Sequence, residues 1–587
     1  MSKHVYPRFP LRPLAFAVVL CVWCANLQPV FAQNTQPENK QADSLRGTVV
    51  NSVTHEPIGR ALVYSSDTRF ATMTDSEGRF EFTFAEPENK DRGESGSANK
   101  ISAQGREFPG LMARKPGFLN TPITQRLESG TDGIEITLSL TPEALIVGQV
   151  VLASSEASDK IQLELYRRQV QEGRAHWILA GSTSTRSNGE FRFAELSAGK
   201  YKLLTRELLD RDPLTFEPNG QLYGYPPVYF PSATDFAGGE TIQLTAGQIF
   251  QADISLVRRA YYPVKVPVVS PSPSPGVGVV VSVQGHRGPG YALGYSHRDQ
   301  TIEGMLPNGN YTLEASGFGP TGASGLLNIS VKNAAFEGPR MTLIPNASIS
   351  VNVKEEFAAS PDAYSARANA EGQVVHLRGP RGYLNLRLEP ADDFGQERTA
   401  WLHPPSGAED EPLVIEGVQP GRYWVRADSG RGFVASITSG TADLQHQLLV
   451  VGLGGSSPPI EITMREGVAE IHGTIEGGAA SFGGANAVMA AVNGTGSADI
   501  SSVHVYCIPL PDSSGEFKEA GVSPDGAFGV PQLPPGTYRV LAFDRPQPDL
   551  EYRNPEAMRA FDAKGPLVRL VPGQKEHLHL QVISTSE

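Results

Sequence analysis

The sequence predicts an all-β protein, a tandem array of about five β-sandwich domains that follows a signal peptide. Three observations predict it: a short phrase that recurs at intervals of 110 to 115 residues, 61 Gly and 46 Pro among 587 residues, and no long stretch with helical periodicity. Frequent Gly and Pro are typical of chains that turn often. A chain of this length exceeds one hydrophobic core, so several domains are expected.

The first residues have the pattern of an export signal. A basic start is followed by an apolar run from Leu14 to Val22 and by Val30-Phe31-Ala32, a site that signal peptidase can cleave. The sequence therefore predicts a signal peptide over 1–32 and a flexible N-terminus over 33–44. An uncleaved membrane anchor is the alternative, and the short apolar run disfavours it. The protein is expected to be exported (periplasmic, outer-surface or secreted), with no membrane span after cleavage.

Composition and charge narrow the class of partner. With 40% hydrophobic and 19% charged residues, the chain is expected to fold rather than to be disordered. Cleavage would remove Lys3, Arg8 and Arg12 and change the formal charge from −13 to −16. Because phosphates repel an acidic chain, nucleic acid is not expected as a partner.

Only one cysteine remains after the expected cleavage. Cys21 and Cys24 leave with the signal peptide and Cys507 stays, so no internal disulfide and no cysteine zinc site are expected. The segment from His504 to Ile508 alternates like a strand. Cys507 is therefore predicted to be a small hydrophobic residue of a core.

The strongest internal signal is a phrase of the form Leu-x-x-Gly-x-Tyr, with Val replacing Leu once. Its tyrosines are Tyr201, Tyr311, Tyr423 and Tyr538, which lie 110, 112 and 115 residues apart. Such periodicity indicates arrayed domains. The glycine is predicted to reverse the chain, and the tyrosine to begin the next strand.

A second phrase precedes the first in some copies. Gly78-Arg-Phe80-Glu-Phe82 matches Gly189-Glu-Phe191-Arg-Phe193, and Gly526-Ala-Phe528 is a looser version. The glycine would supply the positive φ of a tight turn. The two phenylalanines, spaced by two, would lie on one face of the following strand.

These repeats divide the mature chain into domains of normal size. The predicted β-sandwiches are 45–144, 145–257, 258–344, 345–464 and 465–587. Four smaller segments are also predicted: a polar loop at Glu86–Lys100, a linker or edge loop at Ser270–Pro275, a flexible stretch at Gly477–Gly496, and one short helical turn at Glu556–Phe561.

The first domain resembles the carboxypeptidase regulatory-like domain, a transthyretin-like (prealbumin-like) sandwich of Ig-like type. The matching residues are Leu45-Arg-Gly47-Thr-Val49, Pro57-Ile58, Ala61-Leu-Val63, Asp75-Ser-Glu-Gly78-Arg-Phe80 and Lys115-Pro-Gly117-Phe118. Residues 146–257 and 465–585 match less fully, and the third and fourth domains keep only the Gly-x-Tyr phrase. Later units resemble the carbohydrate-binding-like fold of exported bacterial proteins. The resemblance implies spacer, folding-aid or adhesion and glycan-contact roles and brings no catalytic residues.

Two motifs invite a cofactor or a metal. Gly317-Phe-Gly319-Pro-Thr-Gly322 has the letters of a dinucleotide fingerprint, but a predicted strand, Leu326–Val331, follows where a helix is needed. His577 and His579 would share one face of a strand, without an identifiable third ligand. We therefore expect a loop tip and exposed strand histidines, with no cofactor and no metal.

One aromatic cluster is a candidate binding site. Tyr223, Tyr225, Tyr229 and Phe230 lie within eight residues that also contain two prolines. Exposed aromatic rings that carry a polar group can stack on the apolar faces of sugars, and the neighbouring prolines would restrict the segment to a binding conformation. The alternative interpretation is that these rings fix a long loop to its own sandwich or to the next domain.

The function predicted from the sequence is that of a non-catalytic exported multidomain binding or scaffold protein, with carbohydrate binding as one form of it. A polysaccharide or a cell-envelope protein is the expected partner. Two alternatives stay open at this point: an accessory subunit of a cell-envelope complex, and a hydrolase with an unrecognised site. The second requires convergent carboxylates in a cleft.

Overall fold

The protein is nearly all β, and the predicted tandem array of β-sandwiches is confirmed. The computed structural model describes residues 43–66, 69–84, 100–103, 106–120, 124–130, 133–152, 160–209, 220–271, 276–317, 322–358, 365–368, 374–377, 379–394, 398–403, 412–454, 457–476, 503–511, 513–523 and 525–584. The predicted signal peptide and Gly477–Gly496 lie outside these residues, as does all of Glu86–Lys100 except Lys100. None of the described helices is long and apolar enough to cross a membrane.

Five successive stretches, called units here, each form two main sheets around a core. The first unit contains β1 (Asp43–Asn51), β2 (Leu62–Ser65), β3 (Ala71–Met73), β4 (Arg79–Phe84), β5 (Lys100–Ala103), β6 (Arg106–Pro109), β7 (Leu111–Arg114), β8 (Thr124–Gly130) and β9 (Gly133–Leu140). The second contains β10 (Ala144–Leu152), β11 (Gln162–Gln171), β12 (Arg174–Ser184), β13 (Glu190–Leu196), β14 (Gly199–Thr205), β15 (Leu208–Leu209), β16 (Leu222–Tyr225), β17 (Ile242–Leu244), β18 (Ile249–Gln251) and β19 (Ile254–Leu256).

The other three units follow in the same way. The third contains β20 (Arg259–Val269), β21 (Val277–Val283), β22 (Gly294–Ser296), β23 (Thr301–Pro307), β24 (Gly309–Gly317), β25 (Ala323–Val331), β26 (Phe336–Glu337), β27 (Met341–Thr342) and β28 (Ile344–Pro345). The fourth contains β29 (Ala347–Glu356), β30 (Ser365–Ala368), β31 (Val374–Leu377), α1 (Pro380–Tyr383), β32 (Leu384–Pro390), β33 (Ala400–Trp401), β34 (Leu413–Val418), β35 (Gly421–Ser429), β36 (Phe433–Ser439), β37 (Ala442–Asp443), β38 (Leu449–Val451) and β39 (Ile460–Arg465). The fifth contains β40 (Ala469–Ile475), β41 (His504–Pro509), β42 (Lys518–Gly521), β43 (Ala527–Leu533), β44 (Gly536–Phe543), α2 (Pro555–Met558), a 3-10 turn (Arg559–Phe561), β45 (Leu567–Leu570), β46 (Lys575–Leu580) and β47 (Val582–Ile583).

All five units repeat one strand arrangement. The first strand of each unit lies between an antiparallel neighbour and a parallel strand from the unit's end, as β1 lies between β4 and β9, and β40 between β43 and β46. In units two to five the strand that carries the repeated tyrosine lies in the second sheet. Apolar side chains from both sheets fill the space between them.

The repeated tyrosine has one structural role in all four copies. Each ring is buried in its unit's core, and each hydroxyl donates a hydrogen bond to the backbone carbonyl four residues earlier. The pairs are Tyr201 with Ser197 (2.8 Å), Tyr311 with Pro307 (3.0 Å), Tyr423 with Gln419 (2.8 Å) and Tyr538 with Pro534 (2.7 Å). The phrase thus fixes the corner where the chain passes from one sheet to the other, as the tyrosine corner of Ig-type sandwiches does.

A glycine opposite a phenylalanine distinguishes the units with the second phrase. Gly47 lies across from Phe80, and a Cβ at Gly47 would come within 2.5 Å of that ring and 2.2 Å of the Ile136 carbonyl oxygen. Gly148 and Gly473 occupy the same place in the second and fifth units. In the third unit Gly304 lies opposite Val264, and in the fourth Val351 lies opposite Leu413, so neither of these strand pairs contains a glycine opposite a phenylalanine.

Several smaller predictions are confirmed. Gly78, Gly189 and Gly526 have positive φ, and Phe80 and Phe82 are both buried on one face of β4. The predicted helical turn is α2 with the 3-10 turn that follows it. Cys507 is fully buried in the core of the fifth unit, and burial raises the pKa of its thiol to about 12.

The chain also joins neighbouring units through one sheet. Strand β16 of the second unit pairs with β20 of the third, so the sheet continues across the predicted boundary at 257/258. Ser270–Pro275 connects β20 with β21, both of the third unit, and is therefore a loop inside that unit rather than a linker; residues 272–275 of it lie outside the described part. The four boundaries between the five predicted domains stay a prediction.

Candidate functional site

The structure does not bring the four predicted rings onto one exposed face. Tyr225 and Phe230 lie in the core of the second unit, and Tyr229 is buried in a separate aromatic group. Tyr223 alone is exposed, at 40% of its surface. A buried ring cannot stack on a sugar, so any polysaccharide contact by this segment would depend on Tyr223.

Tyr223 lies in β16, opposite Ala260 of β20. The guanidinium of Arg258 lies 4.7 Å from the centre of its ring. A cation over an aromatic face is a favourable contact of about 0.5–1 kcal/mol at an exposed site. The ring is thus held by a neighbouring charge while part of its surface stays open to solvent.

Tyr229 fixes its loop to the third unit. Its hydroxyl donates a hydrogen bond to the backbone carbonyl of Pro289, and a Cβ at Gly290 would lie 2.6 Å from the same hydroxyl oxygen. Burial raises the pKa of Tyr229 well above its ordinary value, so the phenol stays protonated as a donor. This contact is the loop-fixing role that was the alternative interpretation of the cluster.

A set of five rings, called the aromatic junction here, joins the second unit to the fourth. Its members are Tyr166, Trp177, Tyr229, Phe236 and Phe394. Phe394 of the fourth unit contacts Phe236 at 4.5 Å and Tyr166 at 5.8 Å between ring centres, both edge to face. Such pairs stabilise a contact beyond the area they bury.

Lys202 packs against the aromatic junction at Phe236. Its ammonium donates hydrogen bonds to the carbonyls of Phe236 (2.7 Å) and Ala237 (3.2 Å) and lies 4.9 Å from the Phe236 ring centre. Burial lowers the pKa of Lys202. With its ammonium held by two carbonyls, Lys202 positions the Phe236 loop rather than offering a free nucleophile.

Contacts of charged side chains also join the units. Arg287 of the third unit pairs with Glu314 (2.6 Å) and donates to the carbonyl of Phe394 (3.2 Å) of the fourth. Arg168 of the second unit makes a bidentate pair with Glu551 of the fifth, 2.9 Å for one of its two bonds. Nothing in the sequence marks these residues, because each lies far along the chain from its partner.

Burial raises the pKa of three described carboxyls, Glu207, Asp393 and Glu516, and Glu207 is perturbed most. The Oε1 of Glu207 accepts a hydrogen bond from the backbone N–H of Ala292 (3.1 Å), and its Oε2 is buried without a hydrogen-bond partner among the described residues. Burial raises the pKa of Glu207 to about 7. The amide of Ala292 and the charge of Arg206 oppose this rise of the pKa, and burial outweighs them. A glycosidase needs a second carboxyl within about 5–10 Å.

The two histidines considered as metal ligands lie on a strand, and the glycine motif considered for a cofactor lies between two strands. His577 and His579 are exposed on β46, as predicted, with ring centres 5.1 Å apart, and His579 Nδ1 lies 2.8 Å from Thr474 Oγ1. No cluster of three potential ligands occurs among the described residues. The glycine motif connects β24 to β25, and the predicted strand after it is confirmed.

Comparison with known proteins gives no family. No family model and no curated protein matches the chain. Solved structures with some likeness include the Bacillus anthracis TIE protein, at 7% identity over 69% of this chain and 65% of that one, with a TM-score of 0.14. A streptococcal ancillary pilin is 12% identical over 52% of this chain and 99% of that one, with a TM-score of 0.17. A third is the pilus adhesin SpaC of Lactobacillus rhamnosus GG in its open conformation, which is 12% identical over 51% of this chain and 43% of that one, with a TM-score of 0.15. The chain spans less than two thirds of the TIE protein and of SpaC, and at these TM-scores the likeness carries no argument about function.

Proposed function

We propose that this protein is a non-catalytic exported scaffold whose β-sandwich units are held in a fixed arrangement. The observation that carries the proposal is the aromatic junction. There Phe236 of the second unit meets Phe394 of the fourth, beside Tyr229, which is bonded to the third. Of the side chains that the sequence marks for binding, Tyr229 thus holds two units together, and Tyr225 and Phe230 fill the core of the second unit.

The argument rests on how domains of one chain usually behave. Relative motion is the default unless the interface between domains is extensive. Here the second unit contacts the third through Tyr229, the fourth through Phe236 and the fifth through Arg168. Contacts in three directions restrict the motion of this unit, and a fixed spacing between units is what a scaffold provides.

The family assignment and the location belong to the same proposal. The glycine–phenylalanine pair repeats at one register in the first, second and fifth units, and it contains Gly47 and Phe80 of the carboxypeptidase regulatory-like motif, which supports a resemblance of all three units to that domain. The pattern of residues 1–32 supports export by cleavage after Ala32. A cell-envelope protein is the partner that fits an exported scaffold.

The test combines location, rigidity and activity. Expressed in an exporting bacterium, the chain should begin at Gln33 and give the scattering curve of one rigid particle. The purified protein should hydrolyse no glycoside, ester or peptide substrate. A turnover rate proportional to protein concentration, or scattering from freely moving domains, would overturn the proposal.

A second candidate function, polysaccharide binding, is supported by the exposed ring of Tyr223 beside Arg258. We expect the Tyr223→Ala variant to lose any binding that the wild-type protein shows to a polysaccharide panel. Val450→Ala, which removes an exposed apolar side chain in another unit, is the control. Tyr225 and Tyr229 are unsuitable targets, because replacing buried rings would disturb the fold. Equal binding by both variants would exclude Tyr223 as the contact.

A further inference from the structure

Three arginines from three units lie near one another; we call them the arginine cluster. Arg174 lies at the start of β12 in the second unit, Arg426 on β35 in the fourth, and Arg553 just before α2 in the fifth. They come from positions up to 379 residues apart (553 − 174). Only the packing of the units brings them together.

The tip of the β11–β12 hairpin positions the arginine cluster. Gly173, with φ of +72°, packs against the ring of Tyr552, and a Cβ there would lie 2.7 Å from the ring atoms. The backbone N–H of Arg553 donates to the Gly173 carbonyl (3.2 Å). A side chain at position 173 would therefore separate the second unit from the fifth.

Trp424 lies between two members of the cluster. The guanidinium of Arg174 is 3.8 Å from the centre of a Trp424 ring, and that of Arg426 is 5.6 Å away. Arginine stacks well on an indole because its cation is planar and weakly hydrated. The ring orients both guanidiniums, but it does not neutralise their charge.

The carboxylates nearby do not balance the cluster. Glu389 accepts from Arg426 Nε (3.3 Å) through Oε2, but its Oε1 is used by Arg387 (2.8 Å). Glu516, near Arg553, is paired with Lys518 (3.3 Å). Arg174 forms no ion pair with a carboxylate of the described residues.

Each arginine of the cluster also keeps a donor unused. Arg174 Nε, Arg426 Nη2 and Arg553 Nε are buried and have no hydrogen-bond partner among the described residues. Burial, followed by repulsion from Arg553, lowers the pKa of Arg426 to about 9 and that of Arg174 to about 10. Both stay charged at neutral pH, so the cluster combines three buried unused donors with positive charges that repel one another.

We propose that the arginine cluster binds one small oxyanion of the phosphate, sulfate or carboxylate type. Such an anion accepts several N–H bonds at once and matches the fork of a guanidinium. Water could accept the same bonds but would leave the positive charge uncompensated. The buried position of the three donors favours a small free anion over a group carried on a polymer.

The site links anion binding to the assembly of the units. It exists only when the second, fourth and fifth units are packed, so the anion stabilises that packing by mass action. The site does not depend on the scaffold function, because a protein with any other role could bind the same anion here.

The test measures binding of inorganic phosphate and of sulfate to the full chain by titration calorimetry, at an ionic strength held constant with sodium chloride. We expect one saturable site for each anion and a melting temperature that rises with occupancy. Arg174→Gln and Arg426→Gln should weaken binding at least tenfold. Arg186→Gln, which changes an exposed arginine of the second unit, should bind as the wild type does.

A loss of folding cannot imitate this result. In the absence of phosphate, removing one of the mutually repelling charges should leave the melting temperature of Arg174→Gln unchanged or raised, and only the phosphate-dependent rise should disappear. A wild-type chain that binds neither anion overturns the proposal, as does binding that both variants retain. Tighter binding of an anionic polysaccharide than of phosphate would overturn the assignment of a small free anion.

Discussion

The hydroxyl of Tyr423 donates a 2.8 Å hydrogen bond to the backbone carbonyl of Gln419, and the ring of Tyr423 is fully buried in the core of the fourth unit. The same bond closes the corner in the second, third and fifth units. The repeated Leu-x-x-Gly-x-Tyr phrase therefore marks, in each of these units, the same hydrogen bond at the corner between the two sheets.

We expect Tyr423→Phe to lower the free energy of unfolding of the fourth unit by about 1–1.5 kcal/mol, since a buried carbonyl loses its partner. Urea unfolding followed by tryptophan fluorescence measures this, because the described tryptophans lie in the second and fourth units. Tyr383→Phe is the control, since it lies in the same unit and its hydroxyl bonds to Glu355 at an exposed position. An equal effect of the two changes would contradict a special role for the corner.

Gly148→Ala should destabilise the second unit by about 3 kcal/mol or more, beyond ordinary overpacking. The added Cβ would lie 1.9 Å from the carbonyl oxygen of Ala252, a backbone atom that cannot rotate away. Gly521→Ala, at a strand end where nothing lies within 4 Å of the added carbon, should change stability little. Both variants can be compared by thermal unfolding in a calorimeter, and similar melting temperatures would refute the steric argument.

Glu207 should make stability depend on pH. Burial raises its pKa from 4.5 to about 7, so the folded protein keeps the proton where the unfolded chain releases it. The stabilising contribution is complete below pH 4.5 and is lost as the pH rises through 7, a change of about 2–3 kcal/mol. Urea unfolding from pH 4.5 to 8 measures it. Glu207→Gln keeps the acceptor for Ala292 and should remove this part of the pH dependence; identical profiles would show that Glu207 is not the responsible group.

Phe394→Ala should loosen the aromatic junction without unfolding the fourth unit. The change removes the ring that contacts Phe236 and Tyr166 and should cost about 2–4 kcal/mol of junction stability. Small-angle scattering should show a larger radius of gyration, while Val450→Ala should scatter as the wild type does. An unchanged radius for Phe394→Ala would mean that other contacts fix the second unit against the fourth.

Much of the fold could be predicted because its determinants are local. The positive φ at Gly78 and the burial of Phe80 and Phe82 follow from turn chemistry and from the two-residue period of a strand. The place of Cys507 in a core follows from the same alternation. These features depend on residues a few positions apart, so one sequence is enough to read them.

The candidate site could be predicted only in part. The sequence marks Tyr223, Tyr225, Tyr229 and Phe230 as one aromatic group but does not say which rings face solvent. Exposure depends on the third unit, whose Pro289 carbonyl accepts the Tyr229 hydroxyl 60 residues away. Local pattern therefore predicts the aromatic group, and packing decided that three of its rings are buried.

By itself, the sequence determined an all-β array of sandwiches, the turns and corners of each unit, and the pattern of an export signal. Only the tertiary structure decided how the units meet: Phe236 against Phe394, Arg168 with Glu551, and Arg174, Arg426 and Arg553 in one cluster. The physical reason is the range of the interactions. Turn and strand preferences act over a few residues, whereas contacts between units join side chains hundreds of positions apart, which no local pattern records.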